Sequence, residues 1–195
     1  MTTTAAPRTG GAPATTTTVV TRVRDRAAAS PTGVAMRAKE LGLWREYSWA
    51  EYWDEIQDVG HALLALGVQR GDRVAIQSEN RREWLTTDLG AVAIGAATVG
   101  LYPTNPAAEV VHVLGDSGAV VLLAEDQEQV DKALEVTDRT PELRHVVYCE
   151  PRGVRGRYDD PRLLSYEDFR ARGREHRAAN PGAVEAAMAQ ARSGD

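Results

Sequence analysis

The chain has 195 residues, 43% of them hydrophobic and 26% charged, with a formal net charge of −5. That length can bury a core without disulfides or metals, and the acidic balance argues against nucleic acid as a partner, since phosphate binding needs clustered positive charge. The single cysteine, Cys149, excludes internal disulfides and paired-cysteine zinc sites; at the end of the apolar run Val146-Val147-Tyr148 it reads as a plain buried thiol.

Residues 1–17 are almost entirely Thr, Ala, Pro and Gly and read as a disordered tail. They lack the continuous apolar core of a signal peptide, and no stretch approaches the roughly 18–20 apolar residues of a membrane span. The expectation is a soluble, cytoplasmic protein with no transmembrane segment.

A helix is predicted over 19–29, stopped by Ser30-Pro31. The runs 34–37 and 44–47, separated by Leu41-Gly42, predict a small β-hairpin. Ser48 and Glu51 form a capping-box pattern, opening a helix whose stripe is Tyr52, Ile56, Val59 and Leu63. Gly67 is its natural stop.

From there strands and helices alternate. Residues 74–76 read as a strand, and Asn80, with Glu83 three residues on, as the cap of a helix through Trp84, Leu85, Leu89 and Val92. A second strand fits 98–102, and Asn105-Pro106 starts a helix with proline in its first turn. A third strand fits 120–123, a polar helix 127–136 and a fourth strand 145–149. Four apolar strands alternating with three helices predict a parallel, doubly wound α/β sheet, preceded by a helix and a hairpin. Beyond Cys149, Pro151, Gly153, Gly156 and Pro161 mark a loop. Ser165 caps a charged helix through Phe169, and an alanine-rich helix follows Pro181, with no further strand. The domain reading is a tail over 1–17, an α/β subdomain over 18–149, and a loop with charged and Ala-rich helices over 150–195.

The search for chemistry is largely negative. The turn after Ile76, Gln77-Ser78-Glu79-Asn80, has no glycine, so the close backbone approach of a dinucleotide pyrophosphate is obstructed. There is no Gly-x-x-x-x-Gly-Lys loop, no Gly-x-Ser-x-Gly elbow and no His-Glu-x-x-His pair. His112 reads as structural and Asp116-Ser117-Gly118 as a turn. Arg170, Arg172, Arg174 and Arg177, interleaved with acids, read as a solvated helix face. In 80–84 the arginines read as solvated and Trp84 as packed, against a ligand-binding reading of the strand tip. No catalytic, cofactor-binding or metal residue is assigned.

Several segments follow one another between about residues 19 and 149. They are Tyr47-Ser48-Trp49, Leu66-Gly67-Val68, Gly71-Asp72-Arg73-Val74, Asn80-Arg81-Arg82-Glu83-Trp84, Gly95, and Gly100-Leu101-Tyr102-Pro103-Thr104 with Glu109. In this order and spacing they resemble the N-terminal subdomain of the adenylate-forming (AMP-binding) superfamily. The Asn-Arg-Arg-Glu-Trp and Leu-Tyr-Pro-Thr segments resemble its long-chain fatty acid–CoA ligase branch.

The resemblance implies an enzyme that joins a fatty acid carboxylate to ATP, releases pyrophosphate, and passes the acyl group from AMP to the thiol of CoA. Magnesium and basic groups offset the phosphate charge in such a reaction. It further implies that the Thr/Ser/Gly-rich phosphate loop ending in Pro-Lys-Gly, the ribose-binding aspartate, the adenine motif, the hinge and the catalytic lysine lie downstream of Asp195. The chain is therefore expected to be a partial domain, inactive alone and binding no cofactor itself. Fatty acid, ATP, Mg and CoA would be the ligands of the full-length enzyme, and peripheral membrane contact is compatible with it. A partial parallel sheet would also expose an apolar edge or face and be poorly soluble. The alternatives are a free-standing α/β binding or interaction module using the sheet tip around Asn80 and Tyr102, and a dehydrogenase domain, which the missing glycine turn disfavours.

Overall fold

The computed structural model describes residues 17–191. The tail expected over 1–17 lies outside the described residues except for Thr17. Helix α1, Val19–Ala29, begins at a capping box made by Thr18 and Thr21. Strands β1, Val34–Glu40, and β2, Leu43–Ser48, form the expected antiparallel hairpin. Helix α2, Trp49–Ala65, opens on the Ser48/Glu51 capping box and ends before Gly67, whose φ of 78° lies in the left-handed region that glycine tolerates.

Next come β3, Arg73–Gln77; α3, Arg82–Ala93; β4, Ala97–Leu101; α4, Ala107–Ser117; β5, Val121–Ala124; α5, Gln127–Val136; and β6, His145–Tyr148. A fifth parallel strand, β7, Leu163–Ser165, leads into α6, Tyr166–Ala179, and the short α7, Ala183–Met188. The sheet order is β4-β3-β5-β6-β7, every neighbouring pair parallel.

Each strand splits its side chains between two cores, as the period of two requires. Val74, Ile76, Val121, Leu123 and Val147 pack against α1, α2, α3, α6 and α7. Ala75, Leu122, Ala124, Val146 and Tyr148 pack against α4 and α5. Both faces are covered, which is why these strands are apolar without alternation.

Helix α2 is the hub of the first layer. Close approach to its neighbours is bought with glycine: a Cβ on Gly173 of α6 would lie 1.9 Å from the Asp58 carbonyl oxygen, and one on Gly90 of α3 would lie 2.6 Å from Val59 Cγ1.

Four expectations need correction. Strand β7 falls where the sequence reads as strandless; three residues carry no period of their own, and pairing with β6 makes them a strand. Helix α6 runs ten residues past Phe169, to Ala179, because α2 supplies its packing face. Asn80 does not cap α3. The Glu125 carboxylate accepts the Glu79 N–H at 2.6 Å, drawing this turn toward β5, and the cap position falls to an extended Arg81 with no side-chain hydrogen bond. Pro106 is the cap of α4 rather than a first-turn residue; the helical backbone starts at Ala107.

Candidate functional site

The strand order reverses between β3 and β5, since the chain runs outward to β4 and then returns across β3. In open parallel sheets the crevice beyond the carboxyl ends at such a reversal is the usual ligand position. Here the tips of β3 and β5 open into a cleft of about 730 Å³, whose far wall is the hairpin. Met36 and Trp44 line the hairpin side, Arg81, Trp84 and Leu85 the α3 side, and Glu79 and Glu125 the floor.

Carboxylates answer the cations around this mouth. Arg81 Nε donates to Glu83 at 2.8 Å and a second Arg81 nitrogen lies 3.7 Å from Glu125. Arg82 is hydrogen-bonded to Glu55, lies 3.5 Å from Glu83 and stacks 4.8 Å over the Tyr47 ring. The expectation that both arginines are solvated is overturned: their side chains are 28% and 22% exposed. Trp84 packs partly buried, as read from the sequence.

Behind this wall runs a buried polar network. Glu55 is 4% exposed, accepts from Tyr166 Oη at 3.1 Å, and Tyr166 Oη shares a 2.7 Å hydrogen bond with Thr86 Oγ1. Burial, reinforced by the Glu55 charge, pushes the Tyr166 phenol well above its ordinary range, so it stays a donor. One turn along α2, Asp58 collects Arg170 at 3.0 Å, Arg177 at 3.4 Å and Arg174 at 3.6 Å. Arg170 and Arg177 thus face α2 rather than forming a solvated face, whereas Arg172 and Arg174 are exposed as expected, Arg174 while still reaching Asp58. Glu55 was legible in principle, since it lies on the stripe of Tyr52, Ile56 and Val59. Asp58 was not, because its partners lie on α6.

The remaining surveyed residues stand apart from the cleft chemistry. Cys149 is half-buried against the α2-side core, and burial pushes its thiol far up, opposed by the Arg81 charge. His112 is exposed on α4, so the packed structural role expected for it does not hold. Ser117 donates to the Val113 carbonyl at 2.7 Å, and Gly118 ends α4 in the left-handed region, making the segment 116–118 a helix terminus as expected. Tyr102 is 78% exposed, and its carbonyl accepts from buried Gln77 at 3.3 Å.

A model of the AMP-binding enzyme family matches residues 23–182. The chain belongs to this family. Long-chain-fatty-acid–CoA ligase FadD15 of Mycobacterium bovis is 42% identical over 106 residues, 54% of this chain and 18% of that protein. Long-chain-fatty-acid–CoA ligase ACSBG2 of Xenopus laevis is 28% identical over 142 residues, 73% of this chain and 19% of that protein. The crystal structure of the anthranilate CoA ligase AuaEII in complex with anthranoyl-AMP superposes with a TM-score of 0.67 at 26% identity, covering 78% of this chain and 27% of that one. The chain thus spans about a fifth of the length of these curated relatives.

Membership of an AMP-binding family raises the question of whether ATP and magnesium fit this cleft. The backbone N–H of Glu79 at the β3 tip is already bonded to a carboxylate, the turn has no glycine, and Glu79 and Glu125 make the floor anionic. Among the described residues no group of three His, Cys, Asp or Glu could hold a metal ion, and no helix is long and apolar enough to cross a membrane.

Proposed function

We propose that this chain supplies the N-terminal sheet-and-helix platform of a long-chain fatty acid–CoA ligase. In the whole enzyme a fatty acid carboxylate oxygen attacks the α-phosphorus of ATP and pyrophosphate leaves. The CoA sulfur, losing its proton, then attacks the acyl carbon and AMP leaves with the electron pair. The residues of this chain bind none of the reacting atoms. Their role is to hold the sheet, through the α2 hub and its buried Glu55 and Asp58 networks, against the segments that carry the phosphate loop and catalytic lysine of the family. The division at residue 149 and the assignment of no catalytic, cofactor or metal residue belong to this proposal.

The observation that carries the reading is the match of the AMP-binding family model across residues 23–182, together with 42% identity to FadD15. A chimera tests it: residues 17–191 replace their counterpart in that ligase, and palmitoyl-CoA formation is measured. A folded chimera is expected to retain activity, and a folded, inactive one would refute the platform role. The 195-residue chain alone is expected to show no ATP–pyrophosphate exchange with palmitate above a blank. Calorimetric binding of ATP at micromolar strength would contradict the assignment of no nucleotide site.

A further inference from the structure

Two histidines face each other where α2, α6 and α7 meet. His61 of α2 and His176 of α6 bring their Nδ1 atoms to 3.0 Å, and the ring centroids, 5.2 Å apart, place the imidazoles end to end rather than stacked. His61 is 1% exposed, while His176 is half-buried. Among the described residues nothing pairs with His61 Nε2, or with Oε1 of the buried Gln57 one turn earlier on α2.

This geometry limits how many protons the pair can hold. A neutral imidazole has one N–H and one lone pair, so one Nδ1–H donates and the other Nδ1 accepts. One added proton is tolerated, because a charged His176 still donates to His61 Nδ1. A second proton sets two like-charged N–H groups against each other at 3.0 Å, and no hydrogen bond survives. The surroundings do not rescue it. Burial is the largest influence on His61 and resists a proton; His176 and Arg177 on α6 add to that resistance, while Glu185 on α7 and Asp58 on α2 oppose it. Both carboxylates are already engaged: Asp58 is shared among three arginines, and Glu185 accepts from the Gln57 amide.

The chain beyond α6 hangs from His176. The Asn180 N–H and Nδ2 both donate to its carbonyl, at 2.8 and 3.2 Å, and the Ala183 N–H donates to the Asn180 carbonyl at 3.2 Å. Helix α7 then lays buried Val184 and Met188 over the crossing of α2 and α3: a Cβ on Gly60 would lie 3.1 Å from Val184 Cγ2 and 3.4 Å from the Gly90 carbonyl oxygen. The first half of α6 is held separately, by buried Phe169 and the Arg170–Asp58 pair.

We propose that the His61–His176 pair is a proton-operated latch, which holds residues 174–190 as a strap over the α2–α3 crossing and releases them when the pair takes up its second proton. The open strap binds a proton that the closed one excludes, so the strap is firm above an ordinary histidine pKa of about 6.5 and loosens as pH falls below it. Amide hydrogen exchange of the full 195-residue chain, read by mass spectrometry at about pH 7.5 and 5.5 and corrected for intrinsic rates, tests this. Peptides within 174–190 should lose about tenfold in protection at the lower pH while those of β3, β5 and β6 keep theirs. His61→Gln, which removes the facing cation, should flatten the response, and the half-buried His176→Gln should weaken it. Nitrogen-15 spectra of the imidazoles need no variant: the wild-type pair should titrate in two separated steps. Equal exchange at both pH values, a loss spread evenly over the sheet, an undiminished response in both variants, or two histidines titrating independently would each overturn the latch. No ATP, fatty acid or CoA is present, so the outcome does not depend on the ligase reading.

Discussion

Asp54 and Asp58 offer a test of whether burial or distance governs the α2–α6 junction. Arg177 lies 2.6 Å from Asp54 and 3.4 Å from Asp58, so distance alone ranks Asp54 first. Exposure reverses the order: the Asp54 side chain is 61% exposed and that of Asp58 is 2%. An exposed pair is worth about 0–1 kcal/mol, whereas removing one partner of a buried pair costs about 3–5 kcal/mol. The three arginines around Asp58 keep 24%, 37% and 53% exposure, so each can turn partly toward water when Asp58 is lost. Asp58→Ala is therefore expected to destabilise by about 2–3 kcal/mol, roughly 5–10 °C in melting temperature for a chain of this size, and Asp54→Ala by less than about 0.5 kcal/mol. Urea unfolding followed by far-ultraviolet circular dichroism measures both. In a double-mutant cycle, Asp58→Ala with Arg170→Ala should lose about 1 kcal/mol less than the sum of the single changes. Equal effects of the two alanine variants, or a larger one at Asp54, would refute burial as the controlling quantity.

Other outcomes follow from the same geometry. Gly173→Ala drives a Cβ to 1.9 Å from the Asp58 carbonyl oxygen and should cost about 3 kcal/mol, while Gly115→Ala, inside α4 with no atom within 4 Å, should gain about 0.5–1 kcal/mol. Burial, aided by His176, lowers the pKa of His61, and burial beside Arg144 lowers that of His145. The unfolded chain then binds protons more readily than the folded one, so this stability is present above an unfolded histidine pKa of about 6.5 and lost as pH falls through it toward the folded values. The urea midpoint should drop between about pH 7.5 and 5.5, less so in His61→Gln/His145→Gln; a flat or rising midpoint counts against the buried-histidine account. Cys149, its thiol pushed up by burial, should resist a disulfide reagent at about pH 8 in the native chain and react once urea is added; rapid native reaction would contradict that environment.

How far the sequence reached depends on the range of the interaction that sets each feature. The bounds of α1 and α5, the Ser48/Glu51 capping box, the Gly67 stop and the hairpin across Leu41-Gly42 all rest on residues a few positions apart, and a local pattern carries that information. The parallel sheet was legible because strands covered on both faces must be apolar throughout. Tertiary structure alone decided β7, which exists through pairing with β6, and the turn before α3, where Glu125 just past β5 holds the Glu79 N–H and the cap position falls to Arg81 instead of Asn80. It also turned Arg170, Arg174 and Arg177 from a charged surface stripe into partners of Asp58, more than a hundred residues away in sequence. Local propensity specifies where a helix begins and which stripe is apolar. Which acid meets which base depends on how two helices cross, and glycine at the crossing lets these two approach closely enough to meet.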